Sequence, residues 1–369
     1  MESWFDRVTT YSSKQNLIGA WPDDVRRARD LVMHFGWNAT SYQIVNPGIT
    51  HWFARRGDAV VGYVPAARTR VVAGAPVCAL DRLEDVTDEF ENDASHNRQG
   101  VVYFGAEKRL EDRFRNSTDH SMVLLGAQPA WNPASWLKTA DSHKSLRAQF
   151  NRAKNKGVAI AEWSCREATD SAELPRVLQA WLSARPLPPL HFLVEPSTLE
   201  RLDDRRIFVA TRKHSNESSI VAFAVLSPVP ARNGWLVEQF PRLPNAPNGT
   251  VELLMREAVR TIAAENASYV TLGLAPLARN VDADIKEPPW LRTILRLVRD
   301  HGRRFYNFEG LERFKSKFHP DEWEPVYAIN RGEHFSPRAL YAIAGAFASR
   351  SPFRLAGSAL ARHYLHYVK

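Results

Sequence analysis

The sequence predicts a mixed α/β fold made of two similar halves. Three observations lead there. Runs rich in β-branched and aromatic residues alternate with helix-like runs along most of the chain. The order of three strands, a helix and a strand, read between residues 205 and 274, has a looser counterpart in the first 130 residues. Finally, 369 residues with 44% hydrophobic side chains are long for one domain and comfortable for two, and argue against disorder.

Taken in order, "ATSYQIV", "THWFARRGDAVVGYVPA" and "RTRVVAGAPVCAL" read as strands, with "RGD" as a hairpin turn. "LEDVTDEFENDASH" reads as a polar helix, "GVVYFGA" as a strand, "EKRLEDRFR" as a helix and "HSMVLLGAQ" as a strand. "WNPASWLKTADSHKSLRAQFNRAKNKG" reads as helical, with Gly157 as its stop. The pattern then begins again. A strand "VAIAEWS" and a helix "SAELPRVLQAWLSA" precede three strands, "RRIFVATRK", "SSIVAFAVLSPV" and "GWLVEQF". A helix "TVELLMREAVRTIAAEN", a strand "SYVTLGL" and a helix "WLRTILRLVRDHG" follow. In "FYNFEGLERFKSKFHPDEWEPVYAI" a helix over 310–318 would bury Leu311, Phe314 and Phe318, and "EPVYAI" would close the sheet. This layout is that of acyltransferases of the GNAT type. The expectation is therefore an α/β (α+β) fold of tandem GNAT-like domains, 1–140 and 141–332, with the linking basic helix near residue 145. A basic amphipathic helical tail, 333–369, would follow.

Composition narrows the function. A formal charge of +8 favours an anionic partner, RNA or an acidic membrane surface. Cys78 and Cys165 are far apart and in no CxxC, which suits a reducing compartment; Cys78, in an apolar run, reads as a buried thiol. The first residues show no secretory signal, and no run of 18 apolar residues occurs. A cytoplasmic protein, at most peripheral to the inner face of a membrane, is expected. The tail lacks acidic residues after Glu333 and spreads Arg338, Arg350, Arg354, Arg362 and Lys369 among apolar ones, so it could lie on a bilayer or dock on the core. There is no HExxH, Walker loop, GxSxG or Cys/His ligand spacing, so no metal or nucleotide cofactor is expected.

Three constellations could carry chemistry. On a helix, Lys144, Arg147, Asn151 and Lys154 share one face, flanked by Arg152 and Lys156, a stripe suited to phosphates of an RNA or of lipid head groups. The plain alternative is a solvated helix face. In "EQFPRLPNAPNGTVELLMREAV" a strand runs through a Pro/Asn loop into a helix near Thr250, which suits an N-cap, with Asn248 and Gly249 just before it. Glu252 and Arg256 stand one turn apart there, as an i,i+4 pair would. The Arg/Gln-x-x-Gly-x-Gly/Ala turn that grips acetyl-CoA is missing, which points to another donor. In the third stretch Arg313, Lys315 and Lys317 would be displayed beside Tyr306 and Asn307 at a strand end.

Together, "AGAPVCAL", "LRAQFNRAKNKGV", "NGTVELLMREAV", "YVTLGLAPLA" and "FYNFEGLERFKSKFHPDEWEPVYA" resemble, in order and over roughly residues 40–330, the catalytic domain of the aminoacyl-phosphatidylglycerol synthases. These are the lysyl- or alanyl-phosphatidylglycerol transferases, also called multiple peptide resistance factors. The resemblance implies a tandem GNAT fold and transfer of an amino acid from aminoacyl-tRNA, the co-substrate, to a lipid hydroxyl, typically that of phosphatidylglycerol. Three departures stand out. Full-length members carry an N-terminal multi-helix flippase domain that has no counterpart here. Members usually have an aspartate where this chain has Glu252, and Met255 and Arg256 compete for the arginine a turn later. Their Gly-Asp-Pro pattern is Gly74-Ala75-Pro76 here.

The ester of an aminoacyl-tRNA is already activated, so positioning can supply much of the rate. Glu252 would bind the donor's α-ammonium or assist deprotonation of the hydroxyl. Arg256, Arg313, Lys315 and Lys317 would hold phosphate and stabilise the oxyanion. Lys144, Arg147, Asn151, Arg152 and Lys154 would hold the tRNA. Tyr306, Asn307, Asn248 and Gly249 complete the expected substrate contacts. Other acceptors (a sterol, diacylglycerol or a peptide amine) remain open, as does a non-catalytic tRNA- or membrane-binding module.

Overall fold

The structure, a computed structural model, describes residues 21–185, 192–194, 198–214, 217–278 and 308–348. Helix α1 (Asp23–Phe35) leads through a 3-10 turn (Ser41–Val45) into β1 (Thr50–Phe53), β2 (Val60–Ala66) and β3 (Thr69–Ala73). Then come α2 (Leu83–His96), β4 (Gly100–Ala106), α3 (Lys108–Phe114) and the long β5 (His120–Trp131). Two helices follow, α4 (Pro133–Ser142) and α5 (Lys144–Asn155), then β6 (Val158–Trp163), α6 (Cys165–Thr169) and α7 (Glu173–Ser183). Next are β7 (Arg206–His214), β8 (Glu217–Val229), β9 (Gly234–Gln239), α8 (Thr250–Ala264), β10 (Tyr269–Thr271) and β11 (Ala275–Pro276). The last are α9 (Phe308–Ser316), β12 (Glu322–Arg331) and α10 (Pro337–Ala348).

All the strands join one sheet, in the order β1-β2-β3-β4-β12-β5-β10-β9-β8-β7-β6, with β11 also on β5. Each half repeats one plan. A run of antiparallel strands ends in a parallel pair joined by a helix, β3-α2-β4 in the first half and β9-α8-β10 in the second. Each parallel pair is then completed by a strand from the other half. β12, from the end of the chain, lies antiparallel to β4, and β5, from the first half, lies antiparallel to β10. β5 and β12 in turn pair with each other from Glu322↔Ala130 to Arg331↔His120. The two GNAT-like halves thus share one sheet, and the division expected at residue 140 falls inside α4.

Most expected elements are present, with three differences. "ATSYQIV" is not a strand: Ser41–Val45 is a 3-10 turn whose five residues are all buried. It is wedged between α1 and the sheet, so both of its sides are covered and Gln43 must find partners inside, Asn46 and Ser227. Second, the long helical stretch breaks at His143, which is extended (φ −80°, ψ 116°). The bend lets Trp136 and Ala140 of α4 and Leu146, Phe150 and Ala153 of α5 face one core, together with Leu254 and Ala258 of α8. Third, α1 escaped the sequence reading; its Ala28 and Val32 pack on the first half's sheet. The part of the tail within the described residues docks there too, through Ala339, Ala342, Ile343 and Ala346 of α10. Residues 349–369, and the helix expected over "WLRTILRLVRDHG", lie outside the described residues. Cys78 is buried, as expected, and burial pushes its thiol up to about 12.

A buried polar knot ties the halves where β5 and β12 meet. Arg232 pairs with Glu324, one N–H reaching Oε2 at 2.9 Å, and its guanidinium lies 3.5 Å from the Tyr269 ring. Gln128 and Tyr269 donate to the same Glu324 oxygen at 2.9 and 3.0 Å. Glu107 lies beside them; its Oε1 accepts from the Ala39 N–H at 2.7 Å, while Oε2 stands 3.8 Å from Arg232 and has no hydrogen-bond partner among the described residues. Burial, and then the nearby Glu324, raise its pKa to about 8. An acid raised in the fold loses stability as pH rises from its unfolded value near 4.5 to about 8, because the unfolded chain ionises first. Glu107→Gln should abolish that slope and gain a few kcal/mol at neutral pH, to order of magnitude. Urea titrations of both proteins between pH 5 and 8 would check this, and parallel pH dependences would refute it.

Candidate active site

The site grows from the parallel pair of the second half. Beyond Gln239 the chain leaves β9 through a loop and re-enters helix at α8. Gly249 caps that helix with φ +92°, a conformation that strains residues bearing a Cβ. A Cβ there would also stand 2.1 Å from the carbonyl oxygen of Gln149, so the glycine lets α5 seat directly on the start of α8. Thr250, expected as the cap, is instead the first helical residue, and its hydroxyl donates to the Pro247 carbonyl at 2.7 Å. Among the described residues no side chain caps the start of α8, which leaves its positive end suited to an anion.

Glu252 sits in this first turn. Its Oε1 accepts from Lys317 Nζ at 2.7 Å, with the two side chains 12% and 34% exposed, so the pair is only partly in water. The Lys317 ammonium also lies 4.1 Å from the Phe314 ring centre. The turn after α9 that carries Lys317 is clamped, because the indole N–H groups of Trp131 and Trp136 both donate to the Phe318 carbonyl, at 3.1 and 2.6 Å. Phe240, just past β9, meets Phe314 edge-on at 6.2 Å.

Lys315 is a correction. Expected on display, it is buried, on the same side of α9 as Phe318. Its ammonium donates to the carbonyls of Leu272, Gly273 and Leu274 at 2.8, 2.7 and 2.8 Å. These carbonyls lie where the strand breaks between β10 and β11 and have no ladder partner there. Burial pulls the lysine's pKa down to about 7. Three acceptors around one nitrogen call for three N–H donors, which only the ammonium has, so the cradle opposes that pull.

The remaining expected residues divide. Arg256, one turn beyond Glu252, has its guanidinium on Asp141 of α4, at 3.0 to 3.3 Å, and on Glu257 at 3.0 Å. Arg313 is exposed and pairs with Glu309 on its own helix. Asn248 is exposed and Gly249 buried, and Tyr306 and Asn307 lie outside the described residues. On α5, Lys144, Arg147, Asn151, Arg152 and Lys154 are all exposed, and none of the four cations pairs with a carboxylate among the described residues. The structure therefore brings Glu252 and Lys317 together, anchors them through Lys315, and lays the basic stripe on the adjoining helix. Asp141 and the stacked rings of His143 and His319, 3.7 Å apart, escaped the sequence reading. Their partners are more than a hundred residues away, and no local pattern marks them.

A family model described as "Phosphatidylglycerol lysyltransferase, C-terminal" matches residues 29–330. The chain belongs to this family. Every site residue named above lies within the matched range. The phosphatidylglycerol lysyltransferase of Bacillus subtilis (strain 168) is 24% identical over 326 residues, 88% of this chain and 37% of its own length. That of Staphylococcus aureus (strain COL) is 21% identical over 312 residues, 84% of this chain and 36% of its own. The chain thus spans little more than a third of these curated relatives. Among solved structures, the C-terminal domain of a putative lysylphosphatidylglycerol synthetase from Agrobacterium fabrum superposes with a TM-score of 0.73 at 21% identity, over 88% of this chain and 97% of that one. L-PGS from Bacillus licheniformis gives 0.72, also at 21%, over 91% and 99%. These likenesses establish the fold.

Lys315→Met should leave three buried carbonyls without donors and cost about 3 kcal/mol. Arg313→Ala, at an exposed i,i+4 pair, should stay within about 0.5 kcal/mol. Urea denaturation of the two variants distinguishes a structural anchor from a surface cation.

Proposed function

We propose that this chain transfers an aminoacyl group from aminoacyl-tRNA to the glycerol hydroxyl of phosphatidylglycerol. The observation that carries the reading is the Glu252–Lys317 pair at the uncapped, positive start of α8. Its setting in a chain whose curated relatives are named phosphatidylglycerol lysyltransferase supports the choice of acceptor and makes lysine the first donor to test. The basic face of α5, whose cations have no carboxylate partner among the described residues, belongs to a helix seated against the same helix start through Gly249, and it supports a donor that brings its own row of phosphates.

In this reading Glu252 takes the proton of the lipid hydroxyl as its oxygen attacks the ester carbonyl carbon. Lys317, 2.7 Å from that carboxylate, faces the carbonyl oxygen as it gains negative charge. When the tetrahedral intermediate collapses, the bond to the ribose oxygen breaks and that oxygen recovers the proton. One ester is exchanged for another, so the step needs neither oxidant nor covalent enzyme intermediate. Lys315 holds the broken strand that lies beneath α9, while Arg256 is engaged by Asp141 and Glu257 and Arg313 by Glu309. A lysyl head group would add positive charge to an anionic lipid, which weakens attraction of cationic peptides to the membrane. The chain would work at the cytoplasmic surface of the bilayer; no helix among the described residues is long and apolar enough to cross it.

Lipid mass spectrometry of cells expressing the chain is the test. A phosphatidylglycerol species heavier by one amino-acid residue should appear, and its yield should fall at least 100-fold with Glu252→Gln while the melting temperature changes by only a few degrees, to order of magnitude. An unchanged lipid profile, with soluble protein present, would refute the reading.

A further inference from the structure

The bend between α4 and α5, with α5 itself, touches the elements that carry the reacting pair at three points. Asp141 takes the Nε and Nη2 of Arg256, which stands one turn after Glu252 on α8. The ring of His143, the residue at the bend, stacks on His319, two residues after Lys317, at 3.7 Å and nearly parallel. The carbonyl of Gln149 presses on Gly249, the cap of the helix that carries Glu252. The basic helix is thus joined to both elements that hold the reacting side chains.

The outer face of α5 gives this joint something to sense. Its twelve residues span about 18 Å, and its cations repel one another with no carboxylate paired to them among the described residues. A bound polyanion would relieve that repulsion. As a stabilising contact the Asp141–Arg256 pair counts for little, since Asp141 is 54% exposed and such pairs contribute up to about 1 kcal/mol. Its geometry is another matter. Two guanidinium nitrogens on one carboxylate fix direction, and here they fix α4 against α8.

We propose that Asp141 is a positioning residue that couples occupation of the basic face of α5 by a nucleic-acid stem to alignment of Glu252 and Lys317. The inference rests on the functional reading above and adds to it a role for the stem in the chemical step, beyond affinity. The donor's stem, lying on α5, holds the bend closed, and Asp141 passes that constraint through Arg256 to the first turn of α8.

The test separates the stem from the ester. Transfer to phosphatidylglycerol vesicles is followed with a minimal donor, an aminoacyl ester of adenosine, with and without an RNA stem duplex that has no single-stranded 3′ end. In the wild type the duplex should accelerate transfer several-fold. Asp141→Asn should abolish the acceleration while leaving duplex affinity and the unstimulated rate within about twofold, and Asp141→Glu should restore part of it. The coupling is overturned if the duplex has no effect on the wild type, or if Asp141→Asn responds to it as the wild type does. It is also overturned if the variant loses unstimulated and stimulated rates alike, as a merely structural residue would. If the wild type transfers from neither the minimal donor nor full-length aminoacyl-tRNA, the functional reading fails first and the coupling with it.

Discussion

The pairing of β5 with β12 is the constraint on which the rest of the structure depends. Each half of the chain folds into antiparallel strands and one parallel pair, and neither parallel pair is complete without a strand from the other half. A parallel pair left with an open edge would expose its unpaired N–H and C=O groups to solvent or to a second chain. Exchanging β5 and β12 closes both edges at once. The two exchanged strands then become neighbours, and their ladder welds the halves into one sheet. The buried knot of Arg232, Glu324, Gln128, Tyr269 and Glu107 collects at this seam because five segments of the chain meet there, and Glu324 accepts from three of the others.

The candidate active site uses a fault in the same sheet. Between β10 and β11 the strand breaks, and three carbonyls lose their ladder partners. A buried ammonium, Lys315, answers all three. This arrangement locks α9 to the strand and so sets where Lys317, two residues on, can reach. With the clamp of Trp131 and Trp136 on the Phe318 carbonyl, the position of one surface-facing lysine is determined by buried contacts on either side of it. Glu252 reaches the same point from α8, whose start is shaped by a glycine that admits the backbone of α5. Structural side chains thus outnumber reactive ones, as expected where catalysis rests on positioning.

Much of this was legible in the sequence. Strand and helix runs marked most of the sheet and its helices, because hydrophobic periodicity reports which face an element buries. The motif "NGTVELLMREAV" marked the loop-to-helix turn, and "FYNFEGLERFKSKF" the second lysine-bearing helix. Periodicity failed for "ATSYQIV", because a turn covered on both sides buries every residue and imitates a strand. It failed at His143, because a single extended residue leaves no trace in the pattern. It failed for Lys315, because lysine reads as exposed unless its partners are known, and these are carbonyls some forty residues away.

The sequence by itself determined the class of fold, its order of elements and the family resemblance, and it placed Glu252 and Lys317 within a larger set of candidate site residues without pairing them. All of these follow from local pattern or from short motifs. The tertiary structure decided which cations are free to meet a ligand and which are spoken for. Lys315 belongs to the backbone and Arg256 to Asp141, while the stripe on α5 faces outward without carboxylate partners among the described residues. The reason is physical. A charge is defined by what neutralises it, and for Lys315 and Arg256 a partner stands some forty to more than a hundred residues distant, brought near only by the fold.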